Sequence, residues 1–190
     1  MGQSAAPLRC RSATAEALRA ALVRIGMCEA DPGELGPARA LAASLINPAI
    51  ASEESLRTLY ARAQAGFYVV REYQGVTGVL ALAFLNRAGL EALTGETFDP
   101  LTPRIEHVAA WYEEPAAIYG WGVAGANRTA AAIASLGSQT ACELSPCPFF
   151  ARAATEAGLR LLERRLHLVP YPGSPSGLLW REHSPARRAA

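Results

Sequence analysis

The chain is short of several features by which a function announces itself, and each shortage removes a class of answer. Charge of either sign is balanced: 18 basic and 17 acidic side chains leave +1. No global field draws such a chain to nucleic acid or to an anionic membrane, so neither is expected as a partner. Cysteine is sparse, and Cys10, Cys28, Cys142 and Cys147 form no Cys-x-x-Cys pair and no Cys/His run with zinc-ligand spacing, so no metal is expected. They read as reduced thiols, with a Cys142/Cys147 redox pair across a short loop as the alternative. Long apolar runs are missing, as is any basic, apolar and cleavable leader, which makes a soluble, cytoplasmic protein the expectation. There is no fixed-period repeat and no low-complexity block. The loop from Gly173 to Gly177 carries Pro175 where a G-x-S-x-G elbow needs serine, and no Ser/His/Asp triad can be assembled from spacing.

What is present suffices for one domain: 190 residues of which 51% are hydrophobic, with residues 1–11 and 182–190 expected as mobile tails. Ser12 or Thr14 caps a helix with Leu18, Leu22 and Ile25 on one face, ended by Gly26. A second helix spans about Ala38 to Ile46, and a third starts at Ser52, buries Leu56 and Leu59, and closes at Gly66. The period then changes. Phe67 to Arg71 and Val76 to Phe84 are rich in aromatic and β-branched residues, with Tyr73, Gln74 and Gly75 between them, and read as a β-hairpin. Asn86 to Leu93 reads as a helix, Thr94 to Pro103 as a loop, and Arg104 to Tyr112 as either strand or helix. Near the end, Phe149 to Ala154 is a strand and Thr155 caps a helix to Arg165 with Ala157, Leu161 and Leu162 inward. His167 to Tyr171 and Gly177 to Arg181 are two last strands.

Between these lies the stretch on which the rest depends, Ala116 to Leu136. An apolar run enters Gly120, Gly122 and Gly125 and leaves through Asn127 into an alanine-rich helix, so the reading is strand, tight turn, helix. Such a junction gathers unpaired N–H groups and the positive end of a helix dipole, and a phosphate or pyrophosphate is expected there, on bare amides from Asn127 to Ala131. One cofactor reading follows directly: Gly120, Gly122 and Gly125 match G-x-G-x-x-G, a Rossmann dinucleotide fingerprint, with Glu143 as the ribose-binding acid. Against it, a hairpin precedes the motif and only one strand-helix unit follows. The segment holding Glu143, with Ser138, Gln139 and Ser145, is also a poor buried strand.

The order of elements resembles instead the GNAT superfamily of acyltransferases. FFARAATEAGLRLLERRLHLVPYP is similar to that family's C-terminal strand and helix, closing in a corner at Leu166, His167 and Leu168. YVVREYQGVTGVLALAF is similar to its central hairpin, and WGVAGANRTAAAIASL to its acyl-CoA segment; the resemblance covers roughly Phe67 to Arg181. It implies an α/β fold with a GNAT-like central mixed sheet flanked by helices, here with extra N-terminal helices and an insert of about Arg87 to Pro115 before the cofactor strand. It also implies acetyl-CoA or another acyl-CoA as cofactor and a small-molecule or protein amine as acceptor, with oligomers possible. In the family's Gln/Arg-x-x-Gly-x-Gly/Ala pattern, Arg128 matches the first position, while Ala131 and Ile133 stand at the two small-residue positions. The implied cofactor residues are Val123, Ala124, Arg128, Thr129, Ala130 and Ala131, with Thr155 at the polar start of the next helix. The family's tyrosine acid has no equivalent, since Leu162 and Glu163 occupy the candidate positions.

Acyl transfer to an amine needs a base, an N–H to polarise the thioester carbonyl and an acid for the thiolate. The main chain near Val123 is the candidate donor. For the base, Glu106 and His107 lead the cluster Glu106, His107, Tyr112, Glu113 and Glu114, the one dense titratable group ahead of the junction. The plainer reading makes Glu113 and Glu114 a solvated loop, His107 a satisfied surface residue, Arg128 a helix decoration, and Trp111 and Trp121 core. A third functional reading keeps the fold without catalysis, as a scaffold for a partner protein.

Overall fold

Short polar side chains begin most of the helices. The computed structural model describes residues 11–182. In it Ser12 caps α1 (Ala13–Arg24), accepting from the Ala15 amide at 3.2 Å. After β1 (Cys28–Glu29), a 3-10 turn at Pro32–Glu34 leads into α2 (Leu35–Leu45), and Ser52 caps α3 (Glu53–Arg62). Asn86 caps α4 (Arg87–Thr94), Asn127 caps α5 (Arg128–Leu144) and Thr155 caps α6 (Glu156–Arg164). Each such cap contributes about 1 kcal/mol by satisfying an amide that the helix itself cannot.

The remaining strands are β2 (Ala65–Glu72), β3 (Gly75–Leu85), β4 (Ala117–Gly125), β5 (Phe149–Arg152), β6 (Val169–Pro170) and β7 (Leu178–Arg181). With β1 they form one mixed sheet in the order β1-β2-β3-β4-β5-β7-β6. Only β4 and β5 run parallel; every other neighbouring pair is antiparallel. The architecture is thus α/β, a seven-stranded sheet flanked by helices. One face carries Tyr68, Leu80, Leu82, Phe84 and Ile118 and packs against α1, α5 and α6 through Leu18, Leu22, Ala130, Ala134 and Leu162. The other carries Phe67, Val69 and Val79 under α2 and α3, and Ala83, Leu85 and Tyr119 under α4. This is the period-2 alternation of a strand whose two faces are both covered.

Several boundaries differ from the sequence reading for packing reasons. Gly66 does not close the third helix but lies in β2, paired with Leu82. The helix after the junction runs on to Leu144, so Cys142, Glu143, Ser138 and Gln139 are helical. Gly137 and Ser138 lie on its buried side, and a Cβ at Gly137 would meet the Met27 sulfur at 2.5 Å. Ala157 is exposed and not packed inward. Residues 104 to 112 are neither strand nor α-helix: a 3-10 turn at Ile105–His107 precedes a single bridge from Val108 to Leu85. Cys28, Cys142 and Cys147 are free thiols, so Cys142 and Cys147 form no disulfide; Cys10 and the tails expected at 1–10 and 183–190 lie outside the described residues. No described helix is long and apolar enough to cross a membrane.

Candidate functional site

The tight glycine turn is absent. Gly120, Gly122 and Gly125 all lie inside β4, paired with β3, and the chain passes to α5 through Ala126 and Asn127 alone. Gly125 serves packing, since a Cβ there would sit 2.2 Å from the Ala131 nitrogen. The dinucleotide fingerprint therefore loses its turn, and its expected acid, Glu143, is on α5 and accepts from Gln139 at 2.8 Å.

What the junction has is a divergence of strands. Parallel pairing of β4 with β5 spans three positions, Ile118 with Phe149, Tyr119 with Phe150 and Gly120 with Ala151. Beyond Gly120, β4 continues to Gly125 along β3 only, while β5 ends and turns into α6. A cleft of about 360 Å³ occupies the gap, lined by residues 120–125 of β4, by Ala131 and Ser135 of α5, and by Ala153, Thr155 and Leu161.

Register decides which main-chain groups face that gap. The Ala126 amide donates to the Thr77 carbonyl at 2.7 Å, across from it on β3. Hydrogen-bonded and non-bonded pairs alternate along an antiparallel ladder, so Ala124–Val79 is a bonded pair and Val123–Leu80 is not. The N–H and C=O of Val123 consequently point away from β3, into the cleft.

At the start of α5 the amides are only partly bare. Asn127 Oδ1 accepts from the Ala130 amide at 2.8 Å, and the Ala131 amide makes the first intrahelical bond, to Asn127 O at 2.9 Å. The bare series expected from Asn127 to Ala131 shrinks accordingly. Among the described residues no partner is found for the amides of Arg128 and Thr129, both exposed. Asn127 also donates from Nδ2 to both carboxylate oxygens of Glu72, at 3.1 Å each, which brings a negative charge to the helix start.

The expected residues separate into two groups. Val123, Ala124, Ala131 and Thr155 line the cleft, Arg128 and Thr129 stand at its helix end, and Ala130 is buried with its amide capped. Thr155 spends its hydroxyl on the Gly158 amide at 3.0 Å. Glu106 and His107 are elsewhere. Val108 bridges Leu85, which pairs with Ala117 at the opposite end of β4, so these two side chains lie about 20 Å of strand away from Val123. Glu106 is exposed beside Arg104, and His107 packs on Phe98 with centroids 6.1 Å apart. Glu113 and Glu114 are exposed in a loop, as the plainer reading has them, where Glu114 accepts from the Ala13 amide at 2.7 Å and Glu113 from the Ala110 amide at 2.9 Å. Leu162 lines the cleft but has no proton to give, and Glu163 is exposed and outside the lining. Trp121 lines the cleft without filling it, its indole N–H fixed on the Pro100 carbonyl at 2.9 Å.

No family model matches the chain, nor does any curated protein or solved structure. The site is read from its geometry. Sequence reasoning passed over Arg152 and Tyr119. Arg152 ends β5 at the cleft, held by Glu96 at 3.0 Å and by Ser176 at 2.9 Å. Burial raises the Tyr119 hydroxyl above its ordinary pKa, and Arg152 beside it pulls the other way. A cation at the end of a buried strand was the available signal, because an arginine following FFA must emerge from the core onto something. Among the described residues no group of three or more His, Cys, Asp or Glu is arranged to hold a metal.

Proposed function

We propose that the chain is an acyl-CoA-dependent N-acyltransferase of GNAT type, working in the cleft between β4 and β5. The observation that carries this reading is the loss of parallel pairing after Gly120, which frees the Val123 main chain on a slot leading to the start of α5. A diphosphate would take the Arg128 and Thr129 amides with the Arg128 guanidinium, where the helix dipole adds to their pull. The pantetheine arm would lie along residues 121–125, and the Val123 N–H would polarise the thioester carbonyl.

The amine nitrogen then attacks that carbonyl; the C–N bond forms, the C–S bond breaks, CoA leaves as a thiolate, and the proton that the nitrogen sheds as the amide forms reaches the thiolate through water. Among the described residues neither a carboxylate nor an imidazole lines the cleft. The proton of the incoming ammonium is therefore lost to water before attack, and kcat/KM rises tenfold per pH unit until the acceptor's own pKa is reached. Glu106 and His107 take no part.

Titration with CoA and acetyl-CoA tests the reading, followed by thioester consumption across a broad amine panel. Absence of binding at millimolar ligand ends it, and a melting temperature raised by NAD or FAD in place of CoA would favour the dinucleotide reading. A second reading, a non-catalytic scaffold for a partner protein, draws on the cap over Ala130 and the Glu72 carboxylate beside it. It predicts no thioester consumption with any amine, and no change of affinity for CoA in Arg128→Ala.

A further inference from the structure

A second cavity, of about 210 Å³, lies on the sheet face covered by α2. It shares Ile46, Trp121, Gly122 and Arg152 with the cleft, so the two spaces adjoin. Its wall is largely aliphatic and aromatic, interrupted by Asn47 and by two guanidinium groups, Arg39 and Arg152, and among the described residues no carboxylate or imidazole lines it. A space of this size suits one ring with a short chain, since about 150 Å³ holds a benzene molecule.

The two cations are not equivalent. Arg152 is already neutralised by Glu96, which Ser174 holds in turn, and it also faces the Tyr119 hydroxyl. Arg39 is half-buried and its Nε is fixed by the Ala51 carbonyl at 2.8 Å. That bond orients the guanidinium and leaves its terminal nitrogens to another acceptor. Among the described residues no carboxylate pairs with it; Glu53, beside Gly36 one turn earlier, is taken by Arg57 at 2.7 Å. A part-buried guanidinium facing an apolar space is stabilised by a bidentate anion, and a carboxylate matches its fork.

We infer that this pocket binds a small apolar molecule bearing a carboxylate, with the carboxylate on Arg39 and the apolar body between α2 and Trp121. That the molecule is also the acyl acceptor, hence an amino acid with an apolar side chain, rests on the acyl-transfer reading above; the binding does not. A simple cationic amine meets only like charge here.

Three ligands of one shape test it on the full chain without CoA: 3-phenylpropionate, 3-phenylpropan-1-ol and 3-phenylpropylamine, titrated by calorimetry and ligand-observed NMR. The carboxylate binds at least tenfold tighter than the alcohol, and the amine is weakest. Arg39→Gln brings the carboxylate to the alcohol's level and leaves the alcohol unchanged. Because that variant also gives up the bond to Ala51, its fold is checked by circular dichroism, and the ranking in the unaltered protein needs no variant. Alcohol or amine binding as tightly as carboxylate overturns the inference, as does a preference that survives Arg39→Gln or no binding of any of the three at ten millimolar. A chain that binds the carboxylate but not CoA keeps the pocket and loses the transferase. One that binds CoA but none of the three loses only the pocket.

Discussion

The two halves of β4 have the same neighbours in sequence and opposite situations in space. Ala117, Ile118 and Tyr119 are buried and held by β3, and the last two are held by β5 on the other side. Residues 121 to 125 are half-buried and held by β3 alone. A strand whose main-chain groups lack a second partner is ordinarily a liability, because those groups invite another chain or a ligand to complete them. Here the opening lies inside the sheet, between α5 and α6, and not at its edge. The closed half is where stability resides, and the open half is where binding is proposed.

Core truncation separates the halves most widely. Phe150→Ala empties a fully buried site beside Tyr119 of the closed half and is expected to cost about 3–5 kcal/mol, read from urea denaturation. Val123→Ala on the open half costs about 1 kcal/mol or less, since part of that side chain already meets solvent. Equal costs would break the comparison. Glycines refine it: Gly125→Ala drives a methyl against the α5 backbone and loses about 1–3 kcal/mol. Gly122→Ala meets only the tip of Ile46 at 3.7 Å and stays within about 0.5 kcal/mol.

A chemical probe reports the closed side independently. Burial, with the sulfur on the Leu166 carbonyl that follows α6, pushes the Cys142 thiol from 9.0 to about 11. The thiolate is the form disfavoured by burial, so alkylation by iodoacetamide is slow at pH 7 and accelerates as pH climbs toward 11. Two pKa units correspond to about a hundredfold less thiolate at neutral pH than for an ordinary thiol. Rapid neutral labelling of Cys142 would show that the end of α5 comes away readily from the segment around Leu166.

The same contrast explains what was legible in the residues. Where local chemistry decides, the reading holds: Ser12, Ser52, Asn86, Asn127 and Thr155 begin helices, and the hairpin turns just before Gly75, whose φ is +110°. Where a distant partner decides, it fails. Gly120, Gly122 and Gly125 look like a turn until β3 pairs with them, and Ser138, Gln139 and Glu143, weighed as a strand of a dinucleotide fold, are helical, with Gly137 packed on Met27 and Leu22. The site divides likewise. Val123, Ala131 and Arg128 follow from one another along the chain. Glu106 and His107 precede β4 closely in sequence, yet the strand's own length carries the cleft away from them. Arg39 and Arg152 come together only through the topology.

The smallest expected effect bears most directly on the open half. Glu72 ends β2 and is drawn to the start of α5 by the Asn127 side chain, so its charge sits beside the amides proposed for a diphosphate. At a separation of about 7 Å in water one charge acts on another with about 0.6 kcal/mol, which is a two- to threefold change in affinity for each phosphate charge opposed. Glu72→Gln keeps an acceptor for Asn127 and removes the charge. CoA affinity should rise two- to fivefold at low ionic strength, and the gain should fade in 0.5 M salt as screening shortens its reach. Arg128→Ala should weaken the same binding, with a matching salt dependence. If Glu72→Gln leaves affinity unchanged at low salt while CoA still binds, the diphosphate lies away from α5, and the open half of β4 holds only the pantetheine arm.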